Sequence, residues 1–420
     1  MNIVKTENTG YDITLVGMGA SAATLTAEGA AALRRAVCIA GAQRLLDALP
    51  AEYPARRLPA VRPADMLDAL LAAGGPAAAL YSGDTGFYSG AAGLLDLLKQ
   101  RGIPARVAPG LSSVQLLAAA LGRPWQGWKL VSAHGAACDP VAAVCGGAPV
   151  FFLTGSGASG PAGLCGQLAA AGLADLPVTV GEELALPGQR ITAGPAGEMA
   201  GRSFSPLSVL LAEPAPRLPA RTPGWPDDAF TRADGVPMTK QAVRAQVLAA
   251  LAVRPGETVW DIGAGTGSVS LELAFANGGA PVWAIEHLPA ACAVLQENRR
   301  RLGGWNLRVA EGEAPAALAG LDRPDAVFIG GSGGRLDAIL DAVLAANPAA
   351  RICLTAVALE TVGAALAALT ARGLTAQVSQ IAAAHAGGEN GSRRLHLLRA
   401  ENPVFVITAV QQQKENGENG

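Results

Sequence analysis

The sequence predicts an α/β protein built from two globular parts. Three observations carry this. Short β-rich runs alternate with alanine- and leucine-rich helical stretches along most of the chain, the mark of strand–helix–strand units with largely parallel sheets. Two glycine loops, ITLVGMGASAATLT (Ile13–Thr26) and VWDIGAGTGSVSLELA (Val259–Ala274), each run from an apolar strand into a helical pattern. Between them EPAPRLPARTPGWPDD (Glu213–Asp228) carries prolines at 214, 216, 219, 223 and 226, a density no helix or central strand accepts. The expected organisation is therefore a first domain at residues 11–213, a proline-rich linker at 214–227, a second domain at 228–410 and a polar, disordered tail at 411–420. A length of 420 residues suits two domains better than one.

In the first part, strands are expected near Ile13–Val16, Ala77–Leu80, Lys129–Ser132, Val150–Leu153 and Leu207–Leu211, where β-branched and aromatic residues cluster between turn signals. Helices are expected near Leu25–Ala36, Gly90–Gln100 and Ser113–Ala120. In the second part, TKQAVRAQVLAALAV places Val243, Val247, Leu248 and Leu251 on one helical face. Strands follow at Thr258–Trp260, Pro281–Ile285, Asn306–Val309, Ala326–Ile329 and Arg351–Thr355. Ligands of such sheets bind beyond the carboxyl ends of the strands.

Composition narrows the function. A formal net charge of -2 and 4% aromatic residues supply neither a basic footprint nor stacking platforms, so no nucleic-acid partner is expected. Charges or prolines interrupt every long apolar run, and the start MNIVKTENTG is polar, so neither a membrane span nor a secretory leader is expected. Six cysteines at 38, 138, 145, 165, 292 and 353 form no C-x-x-C pair, which predicts free thiols, a cytoplasmic location and no metal site. His134 and Cys138 stand four apart without a third ligand. A homo-oligomer binding a small molecule is the expected assembly.

The second glycine loop is not a dinucleotide fingerprint. Its glycines fall at 263, 265 and 267, and Ser268 stands where the third glycine of G-x-G-x-x-G belongs. Asp261 before the loop suits a cation rather than a diphosphate. Glu286, closing VWAIE, stands where an acid accepts both hydroxyls of a ribose. Backbone approach, an acid for a cation and an acid for a ribose together describe S-adenosylmethionine. With PMTKQAVRA, WAIEHLPAA, EGEAPAAL, FIGGSGG and LTAVALET in order, residues 236–360 resemble class I methyltransferases of Rossmann-like fold, and more narrowly the methyltransferase-decarboxylase domains of corrin synthesis. The resemblance implies cofactor contacts from Thr239, Gly263, Ala264, Gly265, Thr266, Gly267, Glu286 and Ala314, with Asp261 beside them. Thr239 reads equally as the N-cap of the following helix.

The first loop is built differently. Gly17 and Gly19 are not preceded by an acid, and no ribose acid follows at the right distance. ALYSGDTGFYSG (Ala79–Gly90), APGLSSVQLLAAALGRPW and KLVSAHG follow. This set resembles the tetrapyrrole methylases, a fold of two α/β subdomains that also uses S-adenosylmethionine. The match implies cofactor contacts from Gly17, Gly19, Ser82, Gly83, Asp84, Gly86, Ser112 and Ser113. Where that family reads G-x-G-P-G, this chain has Gly17-Met18-Gly19-Ala20-Ser21. Ser112 reads equally as a helix cap; His134, one residue before a glycine at a strand end, is placed to handle a proton but reads first as a structural histidine.

The two resemblances together imply two methyl transfers from two molecules of S-adenosylmethionine to meso carbons C5 and C15 of a reduced tetrapyrrole, with loss of carbon dioxide from the ring C acetate. The substrate's carboxylates call for basic anchors. Lys240 and Arg244 are the best placed, sharing a helical face beside the cofactor loop; Arg335, Arg393 and Arg394 are further candidates. The segment AHAGGENGSRRLH (Ala384–His396) is expected as a lid, with His385 and Glu389 managing protons during decarboxylation.

Overall fold

Ile13–Gly17 (β1) is ITLVG, apolar enough to be buried at all five positions, so it lies at the inside of a sheet rather than at its edge. The computed structural model, which describes residues 11–135, 138–216, 223–386 and 398–411, pairs it in parallel with Ala77–Tyr81 and Ala105–Ala108. In chain order the strands of this sheet are β1, Cys38–Gly41 (β2), Arg56–Pro59 (β3), Ala77–Tyr81 (β4) and Ala105–Ala108 (β5). Their spatial order is β3-β2-β4-β1-β5, and every neighbouring pair is parallel.

A second five-stranded sheet follows, from Lys129–Ser132 (β6), Val150–Leu153 (β7), Pro177–Glu182 (β8), Arg190–Pro195 (β9) and Ser208–Ala212 (β10). Its order is β6-β7-β10-β8-β9. Only β6 and β7 run parallel; β10 pairs antiparallel with β7 and β8, and β8 with β9. The expectation of largely parallel sheets therefore fails here. Short loops join β8 to β9, and a hairpin requires antiparallel strands.

The third sheet holds Val259–Ile262 (β11), Val282–Glu286 (β12), Leu307–Glu311 (β13), Ala326–Ile329 (β14), Arg351–Ala356 (β15), Leu374–Ile381 (β16) and, after a two-stranded ribbon of Ala384–Ala386 (β17) and Leu398–Ala400 (β18), Val404–Gln411 (β19). The order is β13-β12-β11-β14-β15-β19-β16. Five parallel strands are completed by β19 and β16, both antiparallel to their neighbours. No helix among the described residues is long and apolar enough to cross a membrane.

The chain divides into two compact units. The first runs to Glu213, except for residues 139–147 and 170–173, which group with the second. The second takes in the described residues from Pro214 on. It therefore begins inside the expected linker: Trp225 and Phe230 are buried in its hydrophobic core, beside Val247 and Leu271.

What fixes that segment is a buried ion cluster. The helix Gln241–Leu251 buries Val243, Val247, Leu248 and Leu251 as its spacing predicts, but also Arg244. Arg244 is 0% exposed. Its Nε donates to Glu272 at 2.8 Å, and its terminal nitrogens donate to Asp227 Oδ1 at 2.7 Å and to the carbonyls of Thr239 and Trp225. Its guanidinium carbon stands 4.7 Å from the Phe230 ring centroid. Glu272 also accepts the backbone N–H groups of Gly224 (2.6 Å) and Trp225 (3.0 Å). Removing one member of such a pair strands a charge in a dry interior, at a cost of about 3–5 kcal/mol. Arg244→Met should therefore destabilise the second unit by that amount in a denaturant titration followed by tryptophan fluorescence. Adding Glu272→Gln to it should recover part of the loss, because the stranded charge goes with it.

Candidate active sites

In the second unit the glycine loop leaves β11 between its parallel neighbours β12 and β14. Gly263 and Ala264 donate their N–H groups to the Ile285 carbonyl at 2.9 and 3.1 Å, so the loop is stitched to the neighbouring strand. Gly263, Gly265 and Gly267 all take left-handed φ, at 74, 55 and 76°. A Cβ on each would strike a different segment: Gly331 O at 2.7 Å, Pro237 O at 2.7 Å and Leu295 Cγ at 2.8 Å. The three glycines thus let FIGGSGG, PMTK and the helix Pro289–Leu302 close around one turn. That accounts for a loop with no glycine at 268, where Ser268 starts the next helix and is buried.

Asp261 is wholly buried. Its Oδ2 accepts the Ser270 hydroxyl, while Oδ1 has no partner among the described residues. Burial pushes the carboxyl up to about 7, with the Ser270 bond opposing and the Glu286 charge adding to the rise. Thr266 Oγ1 is buried without a partner as well. Glu286 is aimed by backbone donors: Gly265 N–H reaches Oε2 at 2.9 Å, and the N–H groups of His287 and Leu288 reach Oε1 at 2.8 and 2.9 Å. Among the described residues Oε2 accepts this one bond from Gly265. Gly312 donates to the Glu286 carbonyl at 2.9 Å and leads to the buried Ala314. An unsatisfied acid, an unsatisfied hydroxyl, an oriented carboxylate and a glycine cradle fit a ligand that has a cationic end and a vicinal diol.

The other residues singled out in the sequence divide sharply. Thr239 is not the helix cap: Lys240 holds that position, without a side-chain capping bond. Thr239 is half-buried on the PMTK segment that touches Gly265 through Pro237. Lys240 is partly exposed, with Asp227 3.8 Å away. Arg244 is no substrate anchor, since it is sealed in the ion cluster with its donors engaged. Arg335 pairs with Glu313 at 2.6 Å. His385 lies on the exposed ribbon, 3.9 Å from Glu401. Glu389, Arg393 and Arg394 lie outside the described residues, as does most of the expected lid.

The first unit closes its loops by glycine contact too. Gly19 and Gly83 exchange backbone hydrogen bonds at 3.1 and 2.9 Å. A Cβ on Gly17 would meet Gly110 N at 2.6 Å and Gly83 O at 2.7 Å. Where related loops continue Pro-Gly, Thr24 takes over: its hydroxyl lies 2.7 Å from the Ser21 carbonyl and 3.1 Å from that of Met18, and it accepts the Ser21 N–H at 3.0 Å. Asp84 accepts the N–H groups of Gly86 (3.0 Å) and Gly110 (3.2 Å), which ties two loops together. Ser112 caps the helix Ser113–Leu121 in a reciprocal arrangement with Gln115. Gly19, Ser82, Gly83, Asp84, Ser112 and Ser113 all line one cavity of about 300 Å³; Gly17 and Gly86 support it from the loops just described.

The same cavity gathers residues that the sequence did not single out. These are Arg44, Tyr88 and Glu183, and they join His134, which the sequence did bring forward. Tyr88 and Glu183 both hold a left-handed φ of 48°, and Ala185 one of 59°, a conformation that is strained for non-glycine residues and gathers at functional sites. Tyr88 lies inside the SGDTGFYSG motif; nothing local to Glu183 marks it.

The raised Asp261 pKa sets a sign. Between the ordinary value of 3.8 and about 7 the folded chain holds a proton that the unfolded chain has released, so this group costs stability increasingly as pH rises through that window. A cationic ligand needs the ionised form. A ligand with a cationic end, the S-adenosylmethionine expected from the sequence among them, should therefore bind this site more tightly as pH rises through about 7 and release a proton as it binds. Calorimetry in buffers of different ionisation enthalpy measures both. Asp261→Asn should weaken binding and flatten the dependence; a pH-independent affinity in the unsubstituted chain would show that Asp261 meets no cation.

Two families match the chain. The family model described as tetrapyrrole (corrin/porphyrin) methylases matches residues 12–200, and that of the precorrin methyltransferase domain matches residues 228–410. A precorrin-6Y C(5,15)-methyltransferase [decarboxylating] of a Sinorhizobium species is 39% identical over 277 residues, covering 65% of this chain and 66% of that protein. The cobalt-precorrin-6B C(15)-methyltransferase (decarboxylating) of Salmonella typhimurium is 40% identical over 197 residues, 45% of this chain and 96% of that one. A solved structure of precorrin-6y C5,15-methyltransferase from Geobacter metallireducens, at 34% identity and a TM-score of 0.43, covers 46% of this chain and 100% of its own. With a glycine-loop site in each unit and a methyltransferase family matched to each, the chain belongs to the decarboxylating precorrin methyltransferases, a family that takes its methyl groups from S-adenosylmethionine.

Proposed function

We propose that this chain methylates one reduced tetrapyrrole twice, using two S-adenosylmethionine sites. The first unit acts at C5; the second acts at C15 and removes carbon dioxide from the ring C acetate, taking precorrin-6Y or 6B to precorrin-8. The observation that carries this reading is the presence on one chain of two glycine-loop sites of different build, each within the match of its own family model. When bound, the cofactor supplies an electrophilic methyl on a sulfonium.

The residues' task is placement. In the second unit the 263–267 loop, Thr239, Glu286 and Ala314 hold the cofactor, with Asp261 balancing its cationic end. In the first, Gly19, Ser82, Gly83 and Ser113 line its seat, and Asp84 and Ser112 shape that seat by their backbone and capping bonds. The accepting meso carbon is enamine-like and needs no strong base to become nucleophilic. Orientation of that carbon is then the main effect, of a kind that removes about 7–11 kcal/mol of barrier. Exclusion of water helps further, because the sulfonium charge disappears in the transfer. Lys240, half-exposed beside the loop, is the anchor for a substrate carboxylate, and the segment with His385 and Glu389 supplies the proton that replaces the lost carboxyl.

A second reading keeps the chemistry but places cobalt in the ring. It is favoured by the Salmonella relative, named for a cobalt-precorrin and matched over 96% of its length.

Mass spectrometry of the product from purified chain, S-adenosylmethionine and metal-free precorrin tests both readings. A gain of two methyl groups with loss of one carbon dioxide is expected. Turnover only of the cobalt complex would favour the second reading, and binding without product from either would overturn both. Gly265→Arg should leave product methylated once and still carrying the acetate, because any side chain there strikes Pro237. Asp84→Ala should spare decarboxylation and slow the other methylation by roughly 10-fold or more, as loosened positioning does.

A further inference from the structure

His134 stands just after β6 and lines the first unit's cavity together with Ser82, Gly83 and Asp84. Its Nδ1 lies 3.3 Å from the Thr154 carbonyl. A carbonyl oxygen only accepts, so this contact puts the ring proton on Nδ1 and leaves Nε2 with a bare lone pair when the ring is neutral. The carbonyl is itself held in place: the Thr154 hydroxyl donates to Ser208 O at 2.6 Å, tying β7 to β10 at that level. Tyr88, strained at φ 48°, donates its hydroxyl to the Leu130 carbonyl on β6 at 3.2 Å and so joins the glycine loop to the strand that leads into the histidine.

The other titratable or charged side chains lining the cavity are Arg44, Asp84, Tyr88 and Glu183. Of these only Glu183 rivals His134 as a proton acceptor. Arg44 stays protonated. Asp84 is committed to two backbone donors, and Glu183 accepts the Ser205 hydroxyl at 3.0 Å. The Tyr88 hydroxyl is committed to Leu130.

We propose that His134 is the proton acceptor of the first unit's methyl transfer. This rests on the reading of that unit as a C-methyltransferase. The electron pair of the substrate's enamine carbon forms the new carbon–carbon bond to the sulfonium methyl. The carbon–sulfur bond breaks with its pair going to sulfur, which becomes a neutral thioether. The substrate, now an iminium cation, loses a ring N–H or adjacent C–H proton to His134 Nε2, and water later takes it. One positive charge enters on sulfur and one leaves as the proton.

Two measurements test this. Nitrogen-15 NMR of the ring nitrogens, in a chain with only four histidines and with His134→Gln to assign the signal, should show a protonated Nδ1 and a bare Nε2 at alkaline pH. The opposite tautomer would overturn the proposal without any turnover. In single-turnover assays of the full chain, His134→Gln should slow the first unit's methylation roughly 10²-fold and remove the acid limb of its rate–pH profile. S-adenosylmethionine affinity and the second unit's decarboxylation should stay unchanged. An unsubstituted chain that adds both methyl groups, beside a His134→Gln variant with the same rate and profile, overturns the proposal alone; so does loss of the acid limb in Glu183→Gln instead. An unsubstituted chain that adds only one methyl overturns the reading of the first unit as well.

Discussion

The second unit depends on one fully buried arginine. Arg244 would be the most expensive residue in its core if a single donor were left open, and instead its guanidinium is spread over a carboxylate at each side, two carbonyls and an aromatic face. The geometry fixes three things together: the helix Gln241–Leu251, the helix Ser268–Ala276 that begins at the glycine loop, and the segment 224–227 that brings the chain in. Because PMTK lies between the last and the first of these, the ion cluster also determines how closely Pro237 approaches Gly265. A charge that looks like a ligand anchor in the sequence acts through the backbone of the site.

Both glycine loops solve the same steric problem with different partners. In the second unit three left-handed glycines admit three separate segments to one turn. In the first, Gly17 packs against Gly83 and Gly110 with no room for a methyl group, and the missing Pro-Gly is made good by the Thr24 hydroxyl, which gathers the loop's own backbone groups. A proline fixes a turn by restricting φ; a threonine does so by hydrogen bonding. The loop keeps its shape although its motif is broken.

Much of this was legible in the sequence where periodicity and glycine spacing speak. Lys129–Ser132, Val150–Leu153 and Ala326–Ile329 fall on the expected residues, because short apolar runs between turn signals have few alternatives. The strand Leu374–Ile381 goes unread although LTAQVS alternates apolar and polar residues, because most of its residues are exposed and no buried face marks it. The antiparallel strands Pro177–Glu182 and Arg190–Pro195 carry a proline, glycine and charge that locally argue against a strand, and pairing overrides them. The glycine loops were readable because φ > 0 and close approach demand one residue type. Arg244 was misread because a buried and a solvated arginine look alike until their partners, here 17 and 28 residues away in the chain, come together. Ser270 and Glu183 gave no signal for the same reason.

The sheet of the second unit is closed from within by its last strand. β19 lies between β15 and β16, pairing with both, although β16 comes earlier in the chain. Until Val404–Gln411 has left the ribosome, Arg351–Ala356 and Leu374–Ile381 each face a gap where their common neighbour belongs. Among the described residues the first unit's sheets contain no strand later than Ala212, so that half of the molecule can assemble during synthesis while the other waits for Val404–Gln411. A nascent chain would thus carry one finished methylase-like unit and one open sheet edge.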